Sequence, residues 1–578
     1  MRIFESRLSR MLVVSLASLS LLETAFINCS GGFNSTGSGF NASLAQGSGA
    51  PMGQVAASRL LTQGGFGPSL QDLQTVSQMS YNDWFNSQVA APASSMTVIQ
   101  NGALSWDGNW FRNALTGKDQ LRQRMAYALS QIFVVALDSN AFAIRQQGMS
   151  YYYNMLLNDS LGNFRTLLND VSHSPGMGLY LTFYGNDKAN PALNIHADEN
   201  YARELMQLFT VGLWQLNLDG SRKLDGNGNP IPTYVQVDVT NMANVFTGWI
   251  GSVDGANGGF SVNLDAGNGP NYLTPMICVP AHHDTNAKTI LNGVVIPAGG
   301  TCESDMKIAL DTLFNHPNVG PFIGQQLIER LVTSNPSAGY ISRVAAAFNN
   351  DGTGVRGNLL AVAKAVLTDP EAVNPTGPGK LREPYLRLAN LYRAFNAVNA
   401  SNTYDDSTVY GAQQFTLPVD YGQQPGNAPS VFNFYRPDYA PAGPISAAGL
   451  VAPEFQITNE FTIVTTINSL EGSAYNFIDS QGNKWSGDQG YSQSLNSEMA
   501  ALRTQAWESL ATNPTALVDQ FNLVFMQNQM PADMRTTLID YVSSISPQSR
   551  PTGANYLAFR VIEAASLIMG SAQYSVQQ

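Results

Sequence analysis

The chain has 578 residues, of which 44% are apolar and only 12% charged, and its net charge is −12. Charged residues hold about half their usual share of roughly a quarter, so Asn, Gln, Ser, Thr and Gly must supply much of the polar surface. The acidic balance excludes a nucleic-acid partner, whose phosphates call for a basic face, and the length admits one large domain with insertions.

Residues 1–28 read as a targeting segment. Arg2, Arg7 and Arg10 form a basic start, and Met11 to Leu22 is an apolar run of 12 residues. That run is too short for a membrane span, which needs about 20 residues, and fits a signal peptide. Cys29 follows in the sequence Ala25-Phe26-Ile27-Asn28-Cys29. A cysteine placed there is the lipidation site of bacterial lipoproteins. Phe26 and Asn28 stand where the strict pattern has Leu and a small residue, as in its relaxed forms. Lipidation of Cys29 and ordinary cleavage nearby are the two readings. Under the first the mature protein is a membrane-anchored lipoprotein of the cell envelope or periplasm; under the second it is secreted. Residues 29–54, rich in Gly, Ser and Asn, read as a flexible tether. With Cys29 lipidated, Cys278 and Cys302 are left to pair across a loop-rich stretch, in a compartment where a disulfide persists.

From residue 55 to 578 the pattern is mainly α: one large multi-helix domain. Short helices are predicted over Val55–Gln63, Leu70–Val76 and Tyr81–Val89, then a long one over Gln120–Leu137 with Leu121, Met125, Leu129 and Ile132 as its apolar stripe. Met149–Asn158 and Asn163–Val171 continue the pattern.

Asp198 to Gly212 is the stretch around which the rest is organised. Asp198 can cap a helix and Gly212 can end it. Glu199, Arg203 and Gln207 share one face at i,i+4 spacing. Tyr201, Leu205 and Leu208 form an apolar face, widened by Ala202, Met206 and Phe209. The pattern predicts a helix buried on most sides that carries charge inward, paired or at work. A β-hairpin and loop insertion follows at about 216–302, with turn signals at Asp219-Gly220 and Asp225 to Pro230. Val237–Thr247 is a helix within it. Helices resume over Ser304–Asn315, Gly320–Thr333, Ser337–Asn349, Arg356–Thr368 and Lys380–Phe395. Ala400–Ala442 is loop. Further helices cover Pro453–Leu470, Asn496–Leu510, Thr515–Gln527, Ala532–Ser544 and Asn555–Met569.

The Asp198–Gly212 helix, followed by Asp238 to Trp249, resembles the bacterial domain-of-unknown-function 1800 family. Matching pieces include Trp110-Phe111-Arg112, Leu121 to Met125, His173 to Met177, Phe314 to Val319, Lys380 to Pro384 and Ser430 to Pro437. The resemblance runs from about Val55 to the C-terminus. It implies an exported bacterial protein, often encoded beside a sulfatase-like partner, and no particular reaction. Many relatives carry histidines in the two motif helices; the matching positions here hold Ser130, Ile132 and Phe209.

Glu199 and Glu204 lie about 140° apart around a helix, so one ion cannot join them unaided. The structural reading pairs Glu199 with Arg203, and Glu204 with Arg122, Arg124 or Arg382; the functional reading makes a carboxylate catalytic or substrate-binding. His196 and His173 are candidates beside it, against a role as turn residues. His282-His283-Asp284 is read as an exposed polar loop rather than a metal site. No spacing matches a zinc set, an EF-hand or a nucleotide loop, so no cofactor or metal is expected. The aromatic residues of the Ala400–Tyr439 region either stack on sugar rings or pack loops onto the core. Two functions stand: an accessory scaffold working with the sulfatase-like partner, or an envelope enzyme acting on a polysaccharide or other polymer at Glu199, Arg203 and Glu204.

Overall fold

The computed structural model describes residues 49–97, 106–137, 146–260, 272–399, 421–486, 500–548 and 555–578. The signal segment, Cys29 and most of the tether lie outside them. Among the described residues helix accounts for 54% and strand for 7%, so the protein is mainly α with small scattered sheets.

Local signals set most helix ends. Ser69 and Ser80 each begin a capping box, with Asp72 and Asp83 returning the bond; this satisfies first-turn N–H groups that would otherwise lack partners. Asn358 and Asn513 cap the helices Leu359–Leu367 and Pro514–Met526 by accepting first-turn N–H groups, without the returning bond. One continuous apolar core gathers the helices Gln120–Ser130, Gln146–Asp159, Phe164–His173, Asn200–Gln207 and Gln236–Val245. At its middle Tyr201 stacks on Phe183 at 4.1 Å and meets Phe246 edge-on at 4.9 Å. Such pairs add about 0.5–1.5 kcal/mol each beyond area burial.

The insertion after the central helix holds the predicted hairpin. Trp214 pairs with Pro232, Leu216 with Arg222 and Leu224 with Pro230. The Asp225 carboxylate accepts the backbone N–H groups of Asn227 and Asn229 at 2.8 and 2.9 Å, so its oxygens serve the turn. Beyond it, Trp249–Ile250 pairs with Ile277–Cys278, and Lys288–Ile290 with Val294–Ile296.

Four elements differ from the sequence expectation. The Gln120 helix ends at Ser130, and the β-branched run after it is buried without continuing the helix. Lys380–Leu381 is a strand paired with Val576–Gln577, and its helix starts only at Pro384, a residue suited to a first turn because it has no N–H to satisfy. Pro453–Ile457 is a 3-10 turn ahead of the helix Glu460–Ala474. The stretch predicted as the helix Asn496–Leu510 instead holds the strand Ala500–Arg503 and a short helix, Gln505–Glu508. That strand lies between Val398–Asn399 and Phe477–Ile478 in a mixed sheet, where pairing overrides the helix preference of its alanines. A further helix, Trp106–Thr116, was not predicted.

Candidate functional site

The central helix runs over Asn200–Gln207, shorter than the predicted span. The cap position falls on Glu199, which makes no side-chain capping bond, rather than on Asp198, whose carboxylate accepts the Asn200 N–H at 2.8 Å from one residue further out. The helix stops at Gln207 with Leu208 as its cap, and Gly212, further along, takes a left-handed φ of +70° with its N–H on the Met206 carbonyl. Tyr201, Ala202, Leu205 and Met206 are fully buried, which fixes the inward face.

Of its charges, Glu199 pairs as expected and Glu204 does not. Glu199 and Arg203 pair at 2.8 Å on the solvent side, each about one-third exposed. Glu199 also accepts from Gln236 at 2.8 Å and Thr240 at 2.7 Å. Burial works against its charge, but those bonds and Arg203 outweigh it and lower its pKa. Glu204 points the other way. It is 8% exposed, and its Oε2 meets no hydrogen-bond donor among the described residues. Burial raises its pKa, against a smaller pull from Arg203.

The expected partners of Glu204 are engaged elsewhere. Arg122 lies 3.8 Å from Asp119. Arg124 donates to the Arg330 carbonyl at 2.7 Å. Arg382 donates to Asn390 at 3.0 Å and lies over the Tyr574 ring at 4.7 Å. His173 bonds the Asn169 carbonyl and Glu303, with its ring edge-on to Trp249, a helix-end role. His196 is exposed, and among the described residues no hydrogen bond or ion pair joins it to Glu199.

The His282–Asp284 stretch is not an exposed loop. His283 is 1% exposed; its Nε2 lies 3.2 Å from Asp305, which also holds Lys288 at 2.8 Å. The Lys288 ammonium thus takes the place beside Asp305 that a cation would want. Next to this buried triad, Cys278 and Cys302 form a disulfide.

A denser polar centre lies where sequence reasoning placed none. Glu383 is fully buried. It accepts from Tyr127 at 2.6 Å, from Gln131 at 2.8 Å and from Gln423. Burial alone would raise its pKa; Lys380, Arg124 and the bonds from Tyr127 and Gln423 reverse that and lower it. Tyr127 is driven well above the usual tyrosine range, by burial first and by Glu383 next, so it holds its proton and donates. Lys380 in turn pairs with Glu454 at 2.9 Å, both 2% exposed. Arg330 bridges to the Gln131 carbonyl at 3.0 Å. Arg124 Nε and Nη1, Gln131 Oε1, Gln423 Oε1 and Asn433 Nδ2 meet no partner among the described residues. Beside them Tyr127, Ser130, Gln131, Tyr152, Asn433 and Phe434 line a small pocket.

Chemically this centre is a fixed anion with three donors on Oε2 and none among the described residues on Oε1, and with Gln131 and Asn433 lining the adjoining pocket. A carboxylate held ionised and triply hydrogen-bonded orders its surroundings; its lowered pKa makes it a poor proton acceptor. The signal for it was present in the sequence. Arg124, Glu383 and Asn433 each sit in a segment carrying the family resemblance, but those segments lie far apart along the chain. Ser130 lies on the same pocket, whereas Ile132 and Phe209 are core, with Phe209 5.1 Å from Phe133.

Of the loop aromatics, Tyr421 and Tyr435 are buried and Phe432 is 46% exposed; Tyr404, Tyr410 and Phe415 lie outside the described residues. No curated protein and no solved structure matches the chain. A family profile described as "Protein of unknown function (DUF1800)" matches residues 59–576. That span takes in the central helix, the disulfide and every segment around Glu383, and the chain belongs to the DUF1800 family.

Proposed function

We propose that this protein is exported and lipid-anchored in the cell envelope, where it serves as a scaffold or accessory factor for a sulfatase-like partner. The observation that carries the reading is the division of the three cysteines. Cys278 and Cys302 are joined, which leaves Cys29 alone, directly after the apolar leader. A disulfide fits an oxidising compartment, and a lone cysteine at that place fits an acyl anchor. The surface pairing of Glu199 with Arg203, and the closed pairing of Lys380 with Glu454, fit elements that hold shape rather than turn over substrate. The partner rests on the family resemblance.

The test is detergent phase partition of the full chain expressed in a bacterium that processes lipoproteins. The native chain should enter the detergent phase and the Cys29→Ser chain the aqueous phase. Aqueous partition of both removes the anchor. Co-purification with the sulfatase-like protein encoded beside it should survive Glu204→Gln; its absence in the native chain removes the partner.

The second reading is an envelope enzyme acting on a polysaccharide or other polymer. It is favoured by one observation: the Glu204 carboxylate is buried without a donor on Oε2. Perturbed carboxylates mark catalytic sites. Loss of polymer turnover in Glu204→Gln, with folding intact, would favour it over the scaffold.

A further inference from the structure

The insertion opens with three short segments, 213–217, 221–225 and 229–233, that bond one another in a ring. The Gln215 N–H donates to the Ile231 carbonyl at 2.8 Å, the Ile231 N–H to the Lys223 carbonyl at 3.0 Å, and the Lys223 N–H to the Gln215 carbonyl at 2.7 Å. Each segment therefore pairs with both others, and the three form a triangular platform. The ring uses both backbone groups of its three residues. Docking by strand addition, which needs an open edge, is excluded there, and recognition falls to side chains.

Residues paired across a ladder, and residues two apart along a strand, share a face. Trp214 pairs with Pro232, Leu216 with Arg222 and Leu224 with Pro230, so these six side chains project to one side. Gln215, Lys223 and Ile231 alternate with them, project to the other side and are half-buried. On the first side Leu224 is 57% exposed, and Arg222 and Pro232 are exposed as well. The Arg222 guanidinium lies over the Trp214 ring, 5.7 Å from its centre. The platform is also fixed to the body. Buried Asn318 donates to the Val211 and Trp214 carbonyls at 2.8 Å each and accepts the Leu216 N–H at 2.9 Å. The face is thus ordered in advance, which lowers the entropy lost on docking.

We propose that this face docks a different protein, one that presents a carboxylate amid apolar side chains. Trp and Arg are the residues that dominate the centres of protein interfaces, and here they sit together within an exposed apolar face. The face carries one formal charge, the cation Arg222, which a carboxylate can engage through two parallel bonds. A second copy docking through the same face would set Arg222 against Arg222, since such a contact is self-matching. The turn carboxylates do not relieve that clash: Asp219 is bonded to Ser221, and Asp225 to Asn227 and Asn229. Those two carboxylates and the net charge of −12 also weigh against an anionic lipid surface. The proposal rests on the scaffold reading and gives it a contact surface.

The experiment titrates the full mature chain, in detergent, with the purified sulfatase-like protein, and reads affinity and amide exchange. Binding should slow exchange over residues 213–233. Leu224→Asp and Arg222→Glu should each weaken binding tenfold or more. Both side chains are exposed, so the melting temperature should stay unchanged. Undiminished binding in both variants, with exchange slowed elsewhere, overturns the platform and leaves the scaffold reading standing. No binding by the native chain overturns both. Slowing over 213–233 by phosphatidylglycerol vesicles without detergent, and not by the protein, assigns the face to lipid and overturns the protein partner.

Discussion

Glu204 is where burial and charge oppose each other most openly. Its carboxylate sits 8% exposed with one oxygen unmatched, and its pKa is raised above the ordinary 4.5. The folded state therefore takes up a proton more readily than the unfolded chain. Stability then falls as pH rises from 4.5 through the folded value, and the full penalty stands above it. Glu204→Gln removes that penalty. It should raise unfolding stability by about 1 kcal/mol at pH 8, the scale of one unmatched buried polar group, and by nothing near pH 4. Denaturant melts of both chains across pH 4–8 read this directly. A gain that is the same at both ends, or a loss at pH 8, would show that Glu204 is compensated. Glu383 is the opposite case. It is buried more deeply and its Oε1 too meets no donor among the described residues, but three donors converge on its Oε2 and its pKa is lowered. Removing it leaves Arg124 without the carboxylate that acts on it, while Lys380 keeps Glu454. Glu383→Ala should destabilise by about 3–5 kcal/mol, as for breaking a buried pair from one side. Tyr127→Phe removes one bond of that centre and should cost about 1–2 kcal/mol. Equal effects of the two substitutions would mean that Glu383 is held chiefly by shape.

Elements were legible where their own residues decide them. Leu70–Val76 and Ala532–Ser544 fall where expected, since a capping box or a proline before the first turn and an apolar stripe are local signals. The segment at Ala500–Arg503 was not legible, because its strand exists only through neighbours that pair with it. The early end of the Gln120 helix has a similar cause: Gln131 turns its amide to Glu383, 252 positions away. The central helix was legible in its inward face and its Glu199–Arg203 pair, but not in its ends, where Glu199 and Leu208 take the cap positions expected at Asp198 and Gly212, nor in the setting of Glu204. Periodicity shows which residues share a face, not whether that face meets solvent. Its end carries a sharper constraint. Gly212 holds φ +70°, and an added Cβ would lie 2.9 Å from the Phe322 ring. Gly212→Ala should therefore cost about 1–2 kcal/mol for the left-handed backbone alone. A drop in melting temperature with unchanged helical content checks it, and an unchanged melting temperature would show that the turn relaxes.

Over the whole molecule, the segments that carry the family pattern draw together around interior charge. Arg124, Glu383 and Gln423 come from three distant stretches and meet at one buried centre, with Asn433 on the pocket beside it, which a linear reading could not assemble. The insertion is built differently, as a ribbon region tied to the helical body by one covalent bond. Cys302 opens the helix Cys302–Phe314, and that helix presents Asp305 to Lys288 and His283 in the ribbon. Cys278 pairs opposite Trp249 in the adjoining ribbon. The disulfide therefore clamps two ribbons to the helix whose carboxylate neutralises them. Closing a 24-residue loop restricts the unfolded chain by about 3 kcal/mol in the loop-entropy account. At an unfolding entropy near 2.1 cal/mol/K per residue, that corresponds to a fall of about 3 °C in melting temperature on reduction. The loss should be local before it is global. After reduction, amide exchange should quicken over residues 277–296 while the Gln120–Ser130 helix keeps its protection. Thiol titration confirms that the bond has opened. A reduced protein with unchanged exchange over 277–296 would mean that the Lys288–Asp305–His283 triad alone holds the insertion in place.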